Sequence, residues 1–230
     1  LCALLGHNDS YVRAAAAEAL GNIGLAANPA LPRLIALLGD DTWIGWNGWS
    51  AHYVRDVARD ALQRVGEPRP EQVGELTELL KPEYDYRVRA AAARALGQLG
   101  PQAKAAVPGL IESLFHRGVY DGARAALEAI GPLSPADLET VDADKLVGFL
   151  SSGSWEMKSA AARALGQLRY GEAVDELASL LTDESATVKA TAAWALGEIL
   201  QGTPSPPADV VQDLAALVED PNDDLSLIHI

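Results

Sequence analysis

The sequence of 230 residues predicts an all-α fold, an α-solenoid in which antiparallel helix pairs stack one on the next. Six segments of the chain fall into one register, and each of them shows helical periodicity. Aromatic residues make up only 6% of a chain that is 49% hydrophobic, so its apolar residues are mostly the helix formers Ala and Leu. The leucines that define the register are Leu20, Leu62, Leu96, Leu127, Leu165 and Leu196.

The second helix of each predicted pair carries the clearest pattern. Counted from Val88, apolar residues recur on one helical face at Ala91, Ala92, Ala95, Leu96 and Leu99. The small alanines on this face allow a neighbouring helix to approach closely. Candidate N-caps are Asp9, Asp85, Ser154 and Ser185. Glycines suited to the helix ends follow at Gly24, Gly66, Gly100 and Gly131.

A more aliphatic helix, such as EQVGELTELL, precedes each of these segments, and a short polar turn joins the two. One pair cannot bury its apolar face alone, whereas stacked pairs cover one another. We therefore expect a single array over residues 1–224, truncated at both ends, with about six to seven helix pairs. The final LSLIHI, residues 225–230, breaks the pattern. It is typical of adapter read-through in metagenomic gene fragments, so we expect a non-native tail.

The strings of the form VR-x-x-A-A-x-A-L-G resemble HEAT repeats, and most closely the short bacterial type named for the phycobilisome-lyase family. They are clearest in the segments that begin at Val12, Val88, Met157 and Val188, whereas the segment from Val119 has Tyr120 where Arg is usual. The resemblance implies that the second helix of each pair lines a concave face. It also implies a protein that binds other proteins, because most members of this family do so.

Charge and cysteine content narrow the class of partner and the compartment. The net charge of −14 disfavours a nucleic-acid partner and an anionic membrane surface. The single cysteine, Cys2, allows no intramolecular disulfide, which fits a cytoplasmic protein. No apolar run approaches the roughly 20 residues that span a bilayer.

No motif in the sequence indicates catalysis or a cofactor. The four histidines, His7, His52, His116 and His229, are scattered, and none precedes a Glu as in iron-dependent HEAT-type hydroxylases. A metal site is therefore not expected. The chain contains no G-x-S-x-G, phosphate-binding or dinucleotide-binding glycine motif.

Two repeat positions carry side chains that could bind a ligand. The position after the leading apolar residue holds Arg13, Arg55, Arg89, Tyr120, Lys158 and Lys189. This ladder is either an anion-binding stripe or, the interpretation we favour, a set of ion pairs with acids in nearby turns. The position five residues later varies, and we expect its members Arg94, Arg163 and Trp194 to contact a partner. Alternatively, Trp194 covers the seam with the next repeat.

The second repeat carries an insertion, DTWIGWNGWSAHY, between Leu38 and Val54. Asn47-Gly48 predicts a tight hairpin turn flanked by Trp46 and Trp49, with Trp43 nearby. Three exposed indoles would exceed the apolar patch that a soluble monomer usually carries. They therefore pack back on the first two repeats, contact a partner protein, or stack on a small ligand such as a sugar.

We therefore expect a non-catalytic protein-protein interaction scaffold that binds another protein and needs no cofactor. The alternative is a subunit of a bilin lyase or a similar cofactor-attachment enzyme, with an extended chromophore on the concave face. The predicted partner-binding residues are Trp43, Trp46, Trp49, His52, Tyr53, Arg94, Tyr120, Arg163 and Trp194.

Overall fold

A computed structural model describes residues 1–46, 51–116, 118–131, 141–152 and 154–219. Helices dominate these ranges, which confirms the predicted all-α class. The helices, numbered in chain order, are α1 (Ser10–Ile23), α2 (Leu31–Ala36), α3 (Val54–Val65), α4 (Val73–Glu78), α5 (Tyr86–Leu99), α6 (Val107–Ser113), α7 (Tyr120–Ile130), α8 (Ala143–Leu150), α9 (Trp155–Leu168), α10 (Val174–Ser179), α11 (Ala186–Leu200) and α12 (Ala208–Glu219).

The first and second helices of a pair differ in regularity. The second helices are α1, α3, α5, α7, α9 and α11, and all of them run for at least eleven residues. The helices α2, α4, α6, α8 and α10 have only six to eight residues. Several of them adjoin 3₁₀ turns, such as Gly24–Ala30 before α2 and Leu37–Gly39 after it. Pro32 and Pro108 stand in the first turn of α2 and α6, where a residue without an N–H group is tolerated.

The chain forms two compact units, Leu1–Gly131 and Pro132–Ile230. In the first unit α1 packs on α3 and α5 packs on α7, and in the second unit α9 packs on α8 and α11. Stacked antiparallel helix pairs of this kind are the α-solenoid arrangement predicted from the repeat. A single array over residues 1–224 remains a prediction.

The aligned leucines form the centre of the packing. Five of them, Leu20, Leu96, Leu127, Leu165 and Leu196, are buried, whereas Leu62 is half-buried. With the exception of the half-buried Ala19, the alanines that precede these leucines by one or four residues are buried too, so the seams between helices are lined with small side chains. Small residues allow close helix approach and dense packing.

Helix ends follow the predicted capping chemistry with one exception. Asp9 accepts a hydrogen bond from Tyr11 N at 2.8 Å, and Asp85 accepts one from Arg87 N at the same distance. Ser185 occupies the N-cap position of α11 as predicted, but its hydroxyl makes no capping bond. The side chain of Asp183 instead accepts from the backbone N–H of Ser185 at 2.9 Å.

The residue after the second helix has positive φ in five repeats. The predicted glycines have φ of 71° at Gly24, 88° at Gly66, 55° at Gly100 and 81° at Gly131. Their ψ values lie between −133° and −169°, in a region that is nearly restricted to glycine. The fifth repeat has Arg169 there, at φ 50° and ψ 40°, in the left-handed helical region that a side chain tolerates at some cost.

Candidate functional site

The inserted segment of the second repeat forms a two-stranded antiparallel hairpin, with β1 at Trp43–Trp46 and β2 at Ala51–Tyr53. Trp43 faces Tyr53, Gly45 faces His52 and Trp46 faces Ala51. The predicted Asn47-Gly48 turn falls within residues 47–50, between the two strands. Asn47, Gly48 and Trp49 lie outside the described residues, as does the Trp46 side chain.

The hairpin is held to the helices by backbone hydrogen bonds at its base. Val54 N donates to Thr42 O, and Arg55 N donates to Asp40 O, both at 3.1 Å. The Trp43 side chain does not enter the core, since the residue is 51% exposed. His52 and Tyr53 are half-buried.

A single carboxylate connects this hairpin to the third repeat. Asp41 accepts two hydrogen bonds from the guanidinium of Arg87, at 2.7 and 3.0 Å, and a third from Arg55. The Arg55 guanidinium lies 4.3 Å from the centre of the Tyr53 ring, and that of Arg87 lies 5.5 Å from the Tyr86 ring. These distances are within the range of cation–π contacts.

The result is a continuous surface that we call the aromatic–arginine surface. It comprises Trp43, Tyr53, Arg55, Tyr86 and Arg87, with Asp41 at its centre. Tyr86 is 51% exposed, like Trp43. Sequence reasoning did not identify Asp41, which lies in a turn, or Tyr86 and Arg87, which begin α5, because these positions have no shared register among the repeats. The available signal was the aromatic and basic content of YDYR before Val88.

The two arginines of this surface lie among three carboxylates. Asp56 lies 3.9 Å from Arg55, and Asp85 lies 3.2 Å from Arg87, in addition to the shared Asp41. The arginines are thus largely neutralised by neighbouring carboxylates. Such a surface suits contact with a protein, where exposed Trp, Tyr and Arg side chains contribute most to binding energy, rather than with a polyanion.

The other predicted site residues lie elsewhere. Arg94 is exposed on α5, and Tyr120 is half-buried at the first position of α7. Arg163 and Trp194 lie together in the second unit, with the guanidinium 5.1 Å from the indole. The Trp194 ring also lies against Gly166 of α9, so it covers the seam with the preceding repeat. The structure therefore groups Trp43 with His52 and Tyr53, and separately groups Arg163 with Trp194.

The basic ladder is largely a set of ion pairs, as favoured from the sequence. Arg13 Nε donates to Asp40 at 2.7 Å, and Lys158 donates to Asp183 at 2.6 Å. Burial raises the pKa of Asp40, but hydrogen bonds from Arg13 and Thr42 outweigh it, so the pKa lies below its ordinary value of 3.8. The pKa of Asp183 is lowered in the same way, by its hydrogen bonds from Lys158 and Ser185 against the effect of burial.

The described residues provide neither a metal site nor a membrane-spanning helix. Within the described residues, no group of three or more His, Cys, Asp or Glu side chains is placed to hold a metal ion. None of the described helices combines the length and the apolar character that a bilayer crossing requires.

Comparison with known proteins places this fold in a class. Two crystal structures of engineered proteins from the Northeast Structural Genomics Consortium are similar to this chain. One is 24% identical with a TM-score of 0.51, over 87% of this chain and 95% of the other. The second is 26% identical with a TM-score of 0.50, over 87% of this chain and 97% of the other. The fold is thus that of an α-solenoid repeat protein.

The sequence profile of HEAT repeats matches residues 1–45, 50–131 and 143–227. The chain therefore belongs to the HEAT-repeat family. No curated protein sequence matches it.

Proposed function

We propose that this protein is a non-catalytic scaffold that binds another protein through the aromatic–arginine surface. The observation that carries the proposal is the exposure of Trp43 and Tyr86, each 51%, on a surface fixed by the Asp41 ion pairs. An insertion at one turn of a repeat array is a common place for a binding loop. Repeat folds offer extended surfaces of this kind to other proteins.

Rigid positioning supports this role. Two arginines hold one carboxylate, and each also lies over a tyrosine ring, so the side chains around Asp41 lose little further freedom on binding. Binding to a preorganised surface avoids much of the ordering cost that weakens flexible contacts. Trp46, Trp49 and His52 belong to the same hairpin, and we propose that they extend this binding surface.

We assign the remaining predicted residues to a secondary role. Arg94 and Tyr120 lie in the same unit as the hairpin, and Arg163 with Trp194 forms a cation–π pair in the other unit. We propose that Arg94 and Tyr120 add contacts to the partner in the first unit, and that Arg163 with Trp194 forms a separate contact site in the second. The contact of Trp194 with Gly166 gives that indole a packing role as well.

A photoreactive phenylalanine analogue at position 43 tests the main proposal. The matched control places the same analogue at Trp155, which is 46% exposed on α9 in the other unit. We expect a crosslinked protein from position 43 and none from position 155 in extracts of the native host. The captured protein is then purified, and its Kd is measured with Trp43→Ala and Trp155→Ala variants.

Truncation of a binding hot spot should weaken the Kd by about tenfold to a hundredfold for Trp43→Ala, with less than about a twofold change for Trp155→Ala. Circular dichroism verifies that both variants fold. Equal effects of the two substitutions would place the binding surface elsewhere and contradict the proposal.

Three finer assignments belong to the same proposal. The spacing of the VR-x-x-A-A-x-A-L-G strings supports the short bacterial phycobilisome-lyase type of HEAT repeat. The net charge of −14 supports a partner that is not a nucleic acid, and a lone free cysteine fits the cytoplasm. A DNA-binding titration at low salt, and an absorbance titration with free bilin, are both expected to give no signal. A saturable bilin shift would favour the lyase-subunit alternative.

A further inference from the structure

A buried arginine on α5 has a guanidinium nitrogen without a hydrogen-bond partner among the described residues. Arg89 lies in the first two turns of this helix and is only 8% exposed. Its Nε is sealed from solvent and donates no hydrogen bond. Among the residues that the structure describes, no carboxylate forms an ion pair with its guanidinium. Because arginine stays protonated in proteins, this position holds a positive charge that no carboxylate of the described residues neutralises by an ion pair.

In two other repeats an aspartate forms an ion pair with the basic residue at the repeat position of Arg89. Arg13 and Lys158 occupy the same repeat position as Arg89, and each meets an aspartate, Asp40 at 2.7 Å and Asp183 at 2.6 Å. Both aspartates stand two residues after the last leucine of the following first helix, in the turn before the next second helix. The ion pair thus joins one repeat to the next.

In the repeat that follows Arg89, this place holds His116 instead of an aspartate. Burial and the neighbouring Arg89 lower the pKa of His116, with Glu112 acting in the opposite direction. His116 is therefore neutral at pH 7 and supplies no negative charge. Glu112 is exposed and, within the described part of the chain, forms no ion pair with Arg89.

We propose that Arg89 forms a binding site for a carboxylate group supplied from outside the chain. The incoming group meets the terminal nitrogens of Arg89 and supplies the negative charge that Asp40 and Asp183 supply to Arg13 and Lys158. A carboxylate fits better than a phosphate, because the corresponding places each take one planar group with a single charge. A carboxylate can also accept two parallel hydrogen bonds from a guanidinium.

The surroundings of Arg89 allow such a group to approach. Of the guanidinium nitrogens only Nε is both sealed and unpartnered, so the proposal places the carboxylate at the terminal nitrogens. Arg89 itself lies near the N-terminus of a fourteen-residue helix, and that end of a helix favours negative charge. A Cβ added to Gly118 would lie 3.1 Å from the Tyr86 ring, so the turn that contains His116 adjoins the aromatic–arginine surface.

The site does not depend on the proposed function. It requires only Arg89 and the residue at position 116, and neither belongs to the hairpin. A carboxylate could come from a free small acid or from an acidic side chain of a protein partner, and the experiment separates these sources.

The test follows the Arg89 Nε–H resonance of the full 230-residue chain by ¹⁵N NMR, assigned from its loss in Arg89→Lys. Acetate replaces chloride at constant ionic strength, with phosphate in a parallel titration. A peptide with blocked termini and one Glu supplies the carboxylate as a protein side chain. The same peptide with Gln in place of Glu is the uncharged control. Two matched variants follow: His116→Asp puts a carboxylate in the site, whereas His116→Asn is of the same size but uncharged.

We expect a saturating shift with acetate or with the Glu peptide, and none with the Gln peptide. His116→Asn retains the response, while His116→Asp raises the half-saturating concentration by about tenfold or more, because its own carboxylate competes. Saturation with the Glu peptide alone assigns the ligand to a protein side chain, and saturation with acetate as well assigns it to carboxylates in general. A linear response like that of the exposed Arg94, an unchanged response in His116→Asp, or tighter binding of phosphate than of acetate would overturn the proposal.

Discussion

Gly166 of α9 and Ala195 of α11 meet so closely that no side chain fits between them. A Cβ added to Gly166 would lie 2.8 Å from the Ala195 Cα and 2.9 Å from its Cβ. The same contact recurs in the first unit, where Gly21 meets Ala61 and Gly97 meets Ala126. In each case the glycine follows one key leucine and the alanine precedes the next. The A-L-G motif is therefore the contact by which successive repeats stack.

Gly166→Ala should destabilise the fold by about 1–3 kcal/mol, because the methyl group must push two helices apart. Gly197→Ala is the matched control, since Gly197 has the same place in its repeat and no atom within 4 Å of an added Cβ. That change should be neutral or should stabilise by about 0.5–1 kcal/mol through the better helix propensity of alanine. Urea unfolding monitored by circular dichroism measures both, and equal destabilisation by the two variants would contradict the stacking role.

Gly131→Ala should destabilise the protein for a different reason. An added Cβ meets nothing within 4 Å, but φ is 81° and ψ is −156°, so the cost is backbone strain of about 1–3 kcal/mol. Gly74→Ala serves as the control, because Gly74 lies in α4 with equally open space and ordinary φ. That substitution should raise the free energy of unfolding slightly, as measured in the same urea titration.

The Lys158–Asp183 pair should couple more strongly than an exposed pair, because its side chains are only 24% and 11% exposed. A double-mutant cycle with Lys158→Met and Asp183→Asn should give a coupling of about 1–2 kcal/mol at pH 7. The comparison is the more exposed Arg124–Glu128 pair, where about 0.3–0.5 kcal/mol is expected.

The pH dependence of the Lys158–Asp183 coupling has a definite sign. Since the folded-state pKa of Asp183 is lowered from 3.8, its contribution is present above about pH 4 and is lost as pH falls through the folded pKa. The coupling should therefore vanish in strong acid. A coupling that persists there would show that the two side chains interact by packing and not by charge.

His116 should make the first unit less stable in mild acid. Its folded-state pKa lies below the ordinary 6.5, so the unfolded chain binds the proton more readily. The contribution of neutral His116 is fully present above pH 6.5 and is lost as pH falls toward the folded pKa. The wild-type urea midpoint should drop between pH 7.5 and pH 5.5 relative to that of His116→Gln. Parallel pH profiles would exclude a perturbed histidine at this position.

The sequence alone determined the helical class, the register of the repeats and most of the helix ends. These features depend on interactions within a few residues, such as the Asp9 and Asp85 caps, the glycines after the helices and the 3.6-residue spacing of apolar side chains. The same local logic indicated a hairpin in the insertion, although not the register in which Trp46 faces Ala51.

Only the tertiary structure decided which distant side chains meet. Arg13 reaches Asp40 across 27 positions and Arg87 reaches Asp41 across 46, and only the packing of one repeat on the next brings these groups together. The same packing leaves Trp43 in solvent and buries the Arg89 guanidinium opposite a histidine. Local propensity depends on neighbours along the chain, whereas the partner of a charge or an indole depends on which turns the stacked helices place side by side.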